Sequence, residues 1–232
     1  MNTELFNLLK KYDVAGPRYT SYPTAPAWTA DVTEVDYKNS LAALEDGDLL
    51  SLYLHIPFCE NLCHFCGCMK MITTKHEVSA EYTLEIIKEI ERVAALLNPN
   101  TQVNQLHFGG GSPNFLQPQE LKKIVDTIRS LFKFTEDAEI AIEMHPRTST
   151  KEFCDMVARL GFNRISLGLQ DLDPKVQKLI NRHQTFEMTR DMVELLRNLG
   201  LKSFNFDLIY GLPGQSLETW KKDIGSSHRT TS

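Results

Sequence analysis

Long apolar runs are missing from this sequence. No stretch reaches the roughly 20 residues needed to span a bilayer, and the opening "MNTELFNLLKKYD" lacks the apolar centre of a secretory signal. The expectation is a protein without a membrane partner that stays in the cytoplasm. An excess of basic charge is missing too. The 25 Lys and Arg stand against 30 Asp and Glu, a net charge of −5, so no general attraction to nucleic acid is expected. Cysteine is scarce, at five in 232 residues. In a reducing compartment such thiols are more often metal ligands or catalytic groups than disulfide partners. What is present is an ordinary globular composition, 42% hydrophobic and 24% charged, in a chain long enough for one large core.

Residues 1–47 read as an N-terminal extension packed on the rest. They carry no long periodic pattern, and the aromatics Tyr19, Tyr22 and Trp28 in "GPRYTSYPTAPAW" would have little use in a plain linker. A short helix fits "VTEVDYKNSLAALEDG", ending at Gly47. Residues 48–224 then alternate between two periods. "LLSLYLHI", "VNQLHFG", "EIAIEM", "RISLGLQ" and "SFNFDLIYG" are short apolar runs suited to strands buried on both faces. Between the first two, "SAEYTLEIIKEIERVAALL" spaces Tyr82, Ile86, Ile90, Val93 and Leu97 as one helical face, with Ser79 as N-cap. "QPQELKKIVDTIRSLF", "STKEFCDMVARLG" (closing on Gly161), "PKVQKLINR" and "FEMTRDMVELLRNLG" supply further helices. Strands joined by helices predict an α/β fold with a parallel sheet and right-handed crossovers, five βα units in all. A helix opens at "SLETWKKDI", and the patternless "GSSHRTTS" of 225–232 follows as an expected unstructured tail, the mark of a chain cut short.

Four of the five cysteines, Cys59, Cys63, Cys66 and Cys68, crowd into "HIPFCENLCHFCGC" directly after the first strand. The spacing is C-x3-C-x2-C-x-C. Structural zinc sites usually pair two knuckles or add histidines, and a second knuckle is missing here. Cys154, far downstream on a helix, reads as a buried apolar thiol. Three thiolates from one loop can bind three irons of a [4Fe–4S] cluster and leave the fourth without a protein ligand, the open position that catalysis needs. Zinc remains the alternative. The second strand runs into "GGGS" (Gly109, Gly110, Gly111, Ser112), where backbone can approach a ligand closely, although the dinucleotide pattern G-x-G-x-x-G is absent. Glu143 ends the third strand, where a carboxylate can accept hydrogen bonds from sugar hydroxyls. Gln170 ends the fourth strand and Asp207 closes the fifth. Strand ends are where functional residues gather in parallel barrels.

The run "YLHIPFCENLCHFCGC" resembles the cluster loop of radical S-adenosylmethionine (SAM) enzymes. With "GPRYTSYPTA", "LHFGGGSP", "GFNRISLGLQD" and "DLIYGLPGQ", the chain from about residue 12 to 224 is similar to the oxygen-independent coproporphyrinogen III oxidases of haem biosynthesis. The resemblance implies a partial (β/α)6-type barrel over 48–224. It makes Cys59, Cys63 and Cys66 the cluster ligands, with Cys68 outside the ligand set. It places SAM against Tyr53, Phe65, Gly110, Gly111, Ser112, Glu143, Gln170, Arg182 and Asp207; Ser112 stands where threonine is more usual. His145 stands where the family more often has an acidic residue. The implied reaction is reductive cleavage of SAM to a 5′-deoxyadenosyl radical, hydrogen abstraction from a propionate, and loss of carbon dioxide to leave a vinyl group. The implied partners are a porphyrinogen substrate, with Arg18 and Arg147 as candidate carboxylate contacts, and an electron donor of the flavodoxin or ferredoxin type. A monomer is expected, and no general base is apparent.

Two other readings compete. Radical SAM-like haem chaperones resemble the chain from the first strand onward, but usually lack "GPRYTSYPTA" and the "CGC" ending. A zinc-stabilised α/β binding module would keep the cysteines without catalysis. Family members are longer, with a sixth strand and a further domain, so weak or absent oxidase activity is expected of the chain as written.

Overall fold

The computed structural model describes residues 3–12, 24–221 and 225. By its internal contacts the chain forms two compact units, 1–41 and 42–232, and each is described by itself. The first contains α1 (Thr3–Tyr12), a single 3-10 turn at Ala25–Ala27, and most of α2 (Glu34–Ala42). Sequence reading missed α1, although "TELFNLLKKY" places its apolar residues at helical spacing. Thr33 and Asp36 cap α2 reciprocally, each side chain accepting from the other's backbone N–H at 2.8 and 3.3 Å. The helix ends at Ala42, short of Gly47, which takes a left-handed φ of +93° in the following turn. Arg18, Tyr19 and Tyr22 lie outside the described residues.

The second unit runs β1 (Leu49–Ile56), β2 (Phe58–Cys59), β3 (Met71–Ile72), α3 (Val78–Ala94), β4 (Gln102–Gly110) and α4 (Pro118–Leu131). It continues through β5 (Lys133–Met144), α5 (Lys151–Arg159), β6 (Arg164–Gln170), α6 (Pro174–Leu179), α7 (Phe186–Asn198) and β7 (Ser203–Leu208). The sheet order is β1-β4-β5-β6-β7, every neighbouring pair parallel. Sequential order with a helix at each crossover is the topology of a barrel in construction.

Packing explains the order. Leu121, Ile124, Val125 and Ile128 recur three and four apart on α4 and are fully buried. Ile86 and Ile90 of α3, Phe153 and Val157 of α5, and Val193 and Leu196 of α7 do the same. They meet one face of the sheet: Leu54 and Ile56, Leu106 and Phe108, Ile140 and Ile142, Ile165, Leu167 and Leu169. The opposite face corrects the expectation of strands buried on both sides. There Tyr53 pairs with His107, Glu143 with Ser166, and Ser166 with Asn205. These side chains are polar and partly accessible, and Glu143 and Ser166 line a cavity.

Other departures are local. Ser79 is not the N-cap of α3. It is buried in the first turn, its hydroxyl 2.7 Å from both the His76 carbonyl and Glu120 Oε2, which ties α3 to α4. The β2–β3 pair was unforeseen, two residues being too short for any period to show. β5 starts six residues before "EIAIEM". Gly225, expected to begin the tail, is helical, and 226–232 lie outside the described residues.

Ile165→Ala should lower the unfolding free energy by about 2–5 kcal/mol in a urea titration. Leu84→Ala, on the exposed face of α3, should change it by less than about 0.5 kcal/mol. Comparable small losses at both positions would contradict this core.

Candidate active site

The chain leaves β1, makes the two residues of β2, and swings through the cysteine loop before returning as β3. Closure is by backbone: Met71 N–H donates to Pro57 O at 2.6 Å and Thr73 N–H to Cys59 O at 2.9 Å. The far side is sewn to the end of α6. His64 N–H donates to Ile180 O at 3.0 Å, and Asn181 Nδ2 to Leu62 O at 2.8 Å. Asn181 does so from a left-handed φ of +54°, a conformation asparagine tolerates better than most residues. Phe65 packs against Val176, Ile180 and Leu212. Lys70 Nζ donates to the carbonyls of Cys66 and Cys68 at 3.0 and 3.1 Å.

One cavity of about 350 Å³ gathers nearly every residue singled out from the sequence. Cys59, Cys63, Cys66, Cys68 and Phe65 form one wall. Gly110, Gly111, Ser112, Glu143, Gln170, Arg182 and Asp207 are also in the lining. Tyr53 is the exception. It stands behind the wall with its hydroxyl 3.0 Å from His55 Nδ1 and its ring stacked on His107. His107 Nε2 in turn lies 3.1 Å from Glu143 Oε1, so Tyr53 bears on the cavity through a carboxylate.

The glycines are required by the protein's own packing. A Cβ at Gly110, whose φ is +118°, would stand 2.9 Å from the His55 ring and from Ile56 O. One at Gly111 would stand 2.7 Å from Phe58 O. The close approach foreseen for a ligand is thus used first to seat the cysteine loop on β4. Ser112 is committed as well: its buried hydroxyl donates to Asn114 Oδ1 at 2.9 Å, and that oxygen also accepts from His145 N–H at 2.9 Å.

Arg182 is buried against the loop. Its Nη2 donates to Gly168 O, its Nη1 lies 3.7 Å from Cys63 Sγ, and its Nε has no protein partner. Burial pulls this guanidinium below its ordinary pKa and Cys63 pulls it back. Burial, then Cys66 and Cys63, pushes the Cys59 thiol up to about 11. Burial and Cys66 push Cys68 up. The Cys59 thiol holds its proton until a metal displaces it. Cys154, buried on α5 and raised to about 11 mainly by burial, is a core thiol. Gln170 holds a left-handed φ of +66°, strain of a kind concentrated at functional sites. Sequence reading missed His55, His107, Lys70 and Gly168. The first two alternate with Tyr53 and Gly109 along their strands, a period-2 signal that was available.

The lining fits a cluster with a nucleoside ligand. The donors are thiols of one loop, with a buried cation beside one of them and a carboxylate and a strained glutamine in the same lining. Among the described residues no group of three His, Cys, Asp or Glu side chains converges on one metal ion. A cubane takes each thiolate at a separate iron.

The chain belongs to the radical SAM superfamily, which matches residues 53–225. That superfamily uses a [4Fe–4S] cluster and SAM. Within it, the chain is 42% identical over 221 residues to the oxygen-independent coproporphyrinogen III oxidase of Pseudomonas aeruginosa, covering 94% of this chain and 48% of that protein. It is 41% identical over 213 residues to the protein of that name from Escherichia coli, covering 92% and 46%. The solved structure of the Escherichia coli coproporphyrinogen III oxidase superposes with a TM-score of 0.87 at 38% identity, over 97% of this chain and 50% of that one. The radical SAM methyltransferase TsrM of Kitasatospora setae shares the fold alone, at a TM-score of 0.56 and 17% identity over 79% and 35%. The chain spans about half the length of the curated relatives it matches.

His145 lines the cavity as a neutral ring. Burial, then Arg182 and Arg147, lowers its pKa to about 3, and its Nδ1 accepts from the Arg147 N–H at 3.3 Å. An unfolded histidine titrates near its ordinary value, so between about pH 6.5 and 3 the unfolded chain binds the extra proton. Stability is therefore lost as pH falls through that window. His145→Asn, which keeps an acceptor near the Nδ1 position, should flatten the loss between pH 7 and 5 in urea titrations, by at most about 1.4 kcal/mol per pH unit. Parallel profiles for the two proteins would contradict this.

Proposed function

We propose that the chain holds a [4Fe–4S] cluster through Cys59, Cys63 and Cys66 and binds SAM across the cavity, in the service of oxygen-independent oxidation of coproporphyrinogen III. The observation that carries the reading is the single cavity joining the three cysteines to the polar ends of β5, β6 and β7. When bound, the cluster and SAM supply a one-electron reduction that yields a carbon radical able to take hydrogen from a propionate side chain.

The chain's own groups orient and shield. Arg182 places a buried cation 3.7 Å from Cys63 Sγ. Glu143, steadied by His107, faces the ribose position, and Asp207 is held by Asn205 Nδ2 at 2.8 Å. Phe65 offers the adenine an apolar surface, and Gly110, Gly111 and Ser112 offer backbone to the methionine end. Gln170 and Arg182 close the lining from β6 and the segment after α6. Arg147, exposed on the rim, is placed for a substrate carboxylate. His145, its pKa lowered to about 3, is too weak a base to take a proton from substrate.

The partners in this reading are the porphyrinogen and a flavodoxin-type or ferredoxin-type reductant, with the protein acting as a cytoplasmic monomer. No helix among the described residues is long and apolar enough to cross a membrane.

Anaerobic reconstitution, reduction with dithionite and addition of SAM with coproporphyrinogen III should yield 5′-deoxyadenosine and methionine. Cys63→Ala should abolish both. A loaded cluster with no SAM cleavage would sink the radical reading. Little or no vinyl product is expected of this chain, so SAM cleavage that coproporphyrinogen III does not stimulate would sink the porphyrinogen assignment.

A further inference from the structure

His55 is a titratable side chain beside the site that neither the cluster nor SAM claims. It lies on β1, three residues before Phe58, with its ring against Gly110. Its Nε2 is 2.8 Å from Met69 O and its Nδ1 is 3.0 Å from the Tyr53 hydroxyl. A carbonyl oxygen can only accept, so Nε2 carries the hydrogen. In the neutral ring Nδ1 is then an acceptor, and the Tyr53 hydroxyl donates to it.

The ring has little choice of place. The His55 carbonyl accepts from the Tyr82 hydroxyl of α3 at 2.5 Å, and Tyr82 packs edge-on against Phe58. On the other side Gly110 leaves room for an imidazole only because it has no Cβ. The partner, the Met69 carbonyl, belongs to an exposed residue of the loop. Its side chain is 81% exposed, and it sits between Cys68 and the first residue pair of β3.

We propose that His55 is a positioning residue that closes the cysteine loop, its Nε2–H fixing the Met69 carbonyl to the sheet while Lys70 ties the same segment to Cys66 and Cys68. The proposal rests on the reading that Cys59, Cys63 and Cys66 hold the cluster. It explains why one sheet position carries a histidine: a single ring reaches the loop with one nitrogen and orients Tyr53 with the other. Through Tyr53 and His107, the closed loop is also linked to the Glu143 carboxylate.

The two nitrogens can be separated by substitution. Glutamine places an amide N–H near the Nε2 position, and asparagine places its amide near Nδ1 only. Hydrogen exchange of the 232-residue chain without its cluster reads the loop directly. Anaerobic reconstitution with ferrous iron and sulfide reads its consequence. His55→Gln should keep residues 66–72 as protected as in the unsubstituted chain and load comparable iron. His55→Asn should exchange about tenfold faster there, the loss of one neutral hydrogen bond, and load less than half the iron. His55→Asn protected and loaded like the unsubstituted chain would overturn the proposal. So would His55→Gln failing alongside it, or faster exchange spread over β4, β5 and β6. If the unsubstituted chain takes up no cluster, the ligand reading fails, while the exchange comparison still decides the role of His55.

Discussion

The contact on which this structure depends is that between the cysteine loop and the glycine turn at the end of β4. Backbone oxygens of Ile56, Pro57 and Phe58 lie where Cβ atoms on Gly110 and Gly111 would have to go. That approach lets β2 form, lets β3 return beside it, and holds the cysteines over the open end of the sheet. A side chain at either glycine would lift the loop from its seat before it obstructed any ligand. The parallel sheet beneath serves as the platform. Its apolar face is spent on helices, so its polar face is left to present Glu143, Ser166 and Asn205 in register, with Asp207 one pleat further on.

Electrostatics then sets what the platform can hold. Several thiols, partly buried and close enough to raise one another's pKa, are poor company as thiolates in the absence of a cation. Arg182 supplies one fixed positive charge beside Cys63, and Lys70 binds the loop carbonyls from below. Neither neutralises the whole set. The remaining demand for positive charge is what a polynuclear iron centre meets. The half-buried His145 is held neutral, so Arg182 and Arg147 carry the positive charge around it.

Much of this could be read from residue order. The boundaries of β1 and β6 match the apolar runs "LLSLYLHI" and "RISLGLQ", because each run is bounded by residues that cannot continue it. The helices were legible wherever apolar residues recur three and four apart, as in α4 and α7. The cysteine spacing and the strand-end residues gathered into one cavity, apart from Tyr53, whose route to the site runs through His107. What stayed hidden was tertiary. Ser79 looks like a cap in sequence and is instead a buried link between two helices. Gly110 looks like a ligand-binding glycine and is first a seat for His55. The polar inner face of the sheet has no sequence signal distinct from ordinary alternation, because only the closure of the fold turns one face inward.

The central claim is that three cysteines of one loop hold a four-iron cluster with one iron left open. Mössbauer spectroscopy of the anaerobically reconstituted chain, before and after addition of SAM, tests it most directly. One iron in four should change its environment when SAM is added, since it alone lacks a thiolate. Four irons that stay equivalent, or a metal content of one ion per chain, would contradict the account.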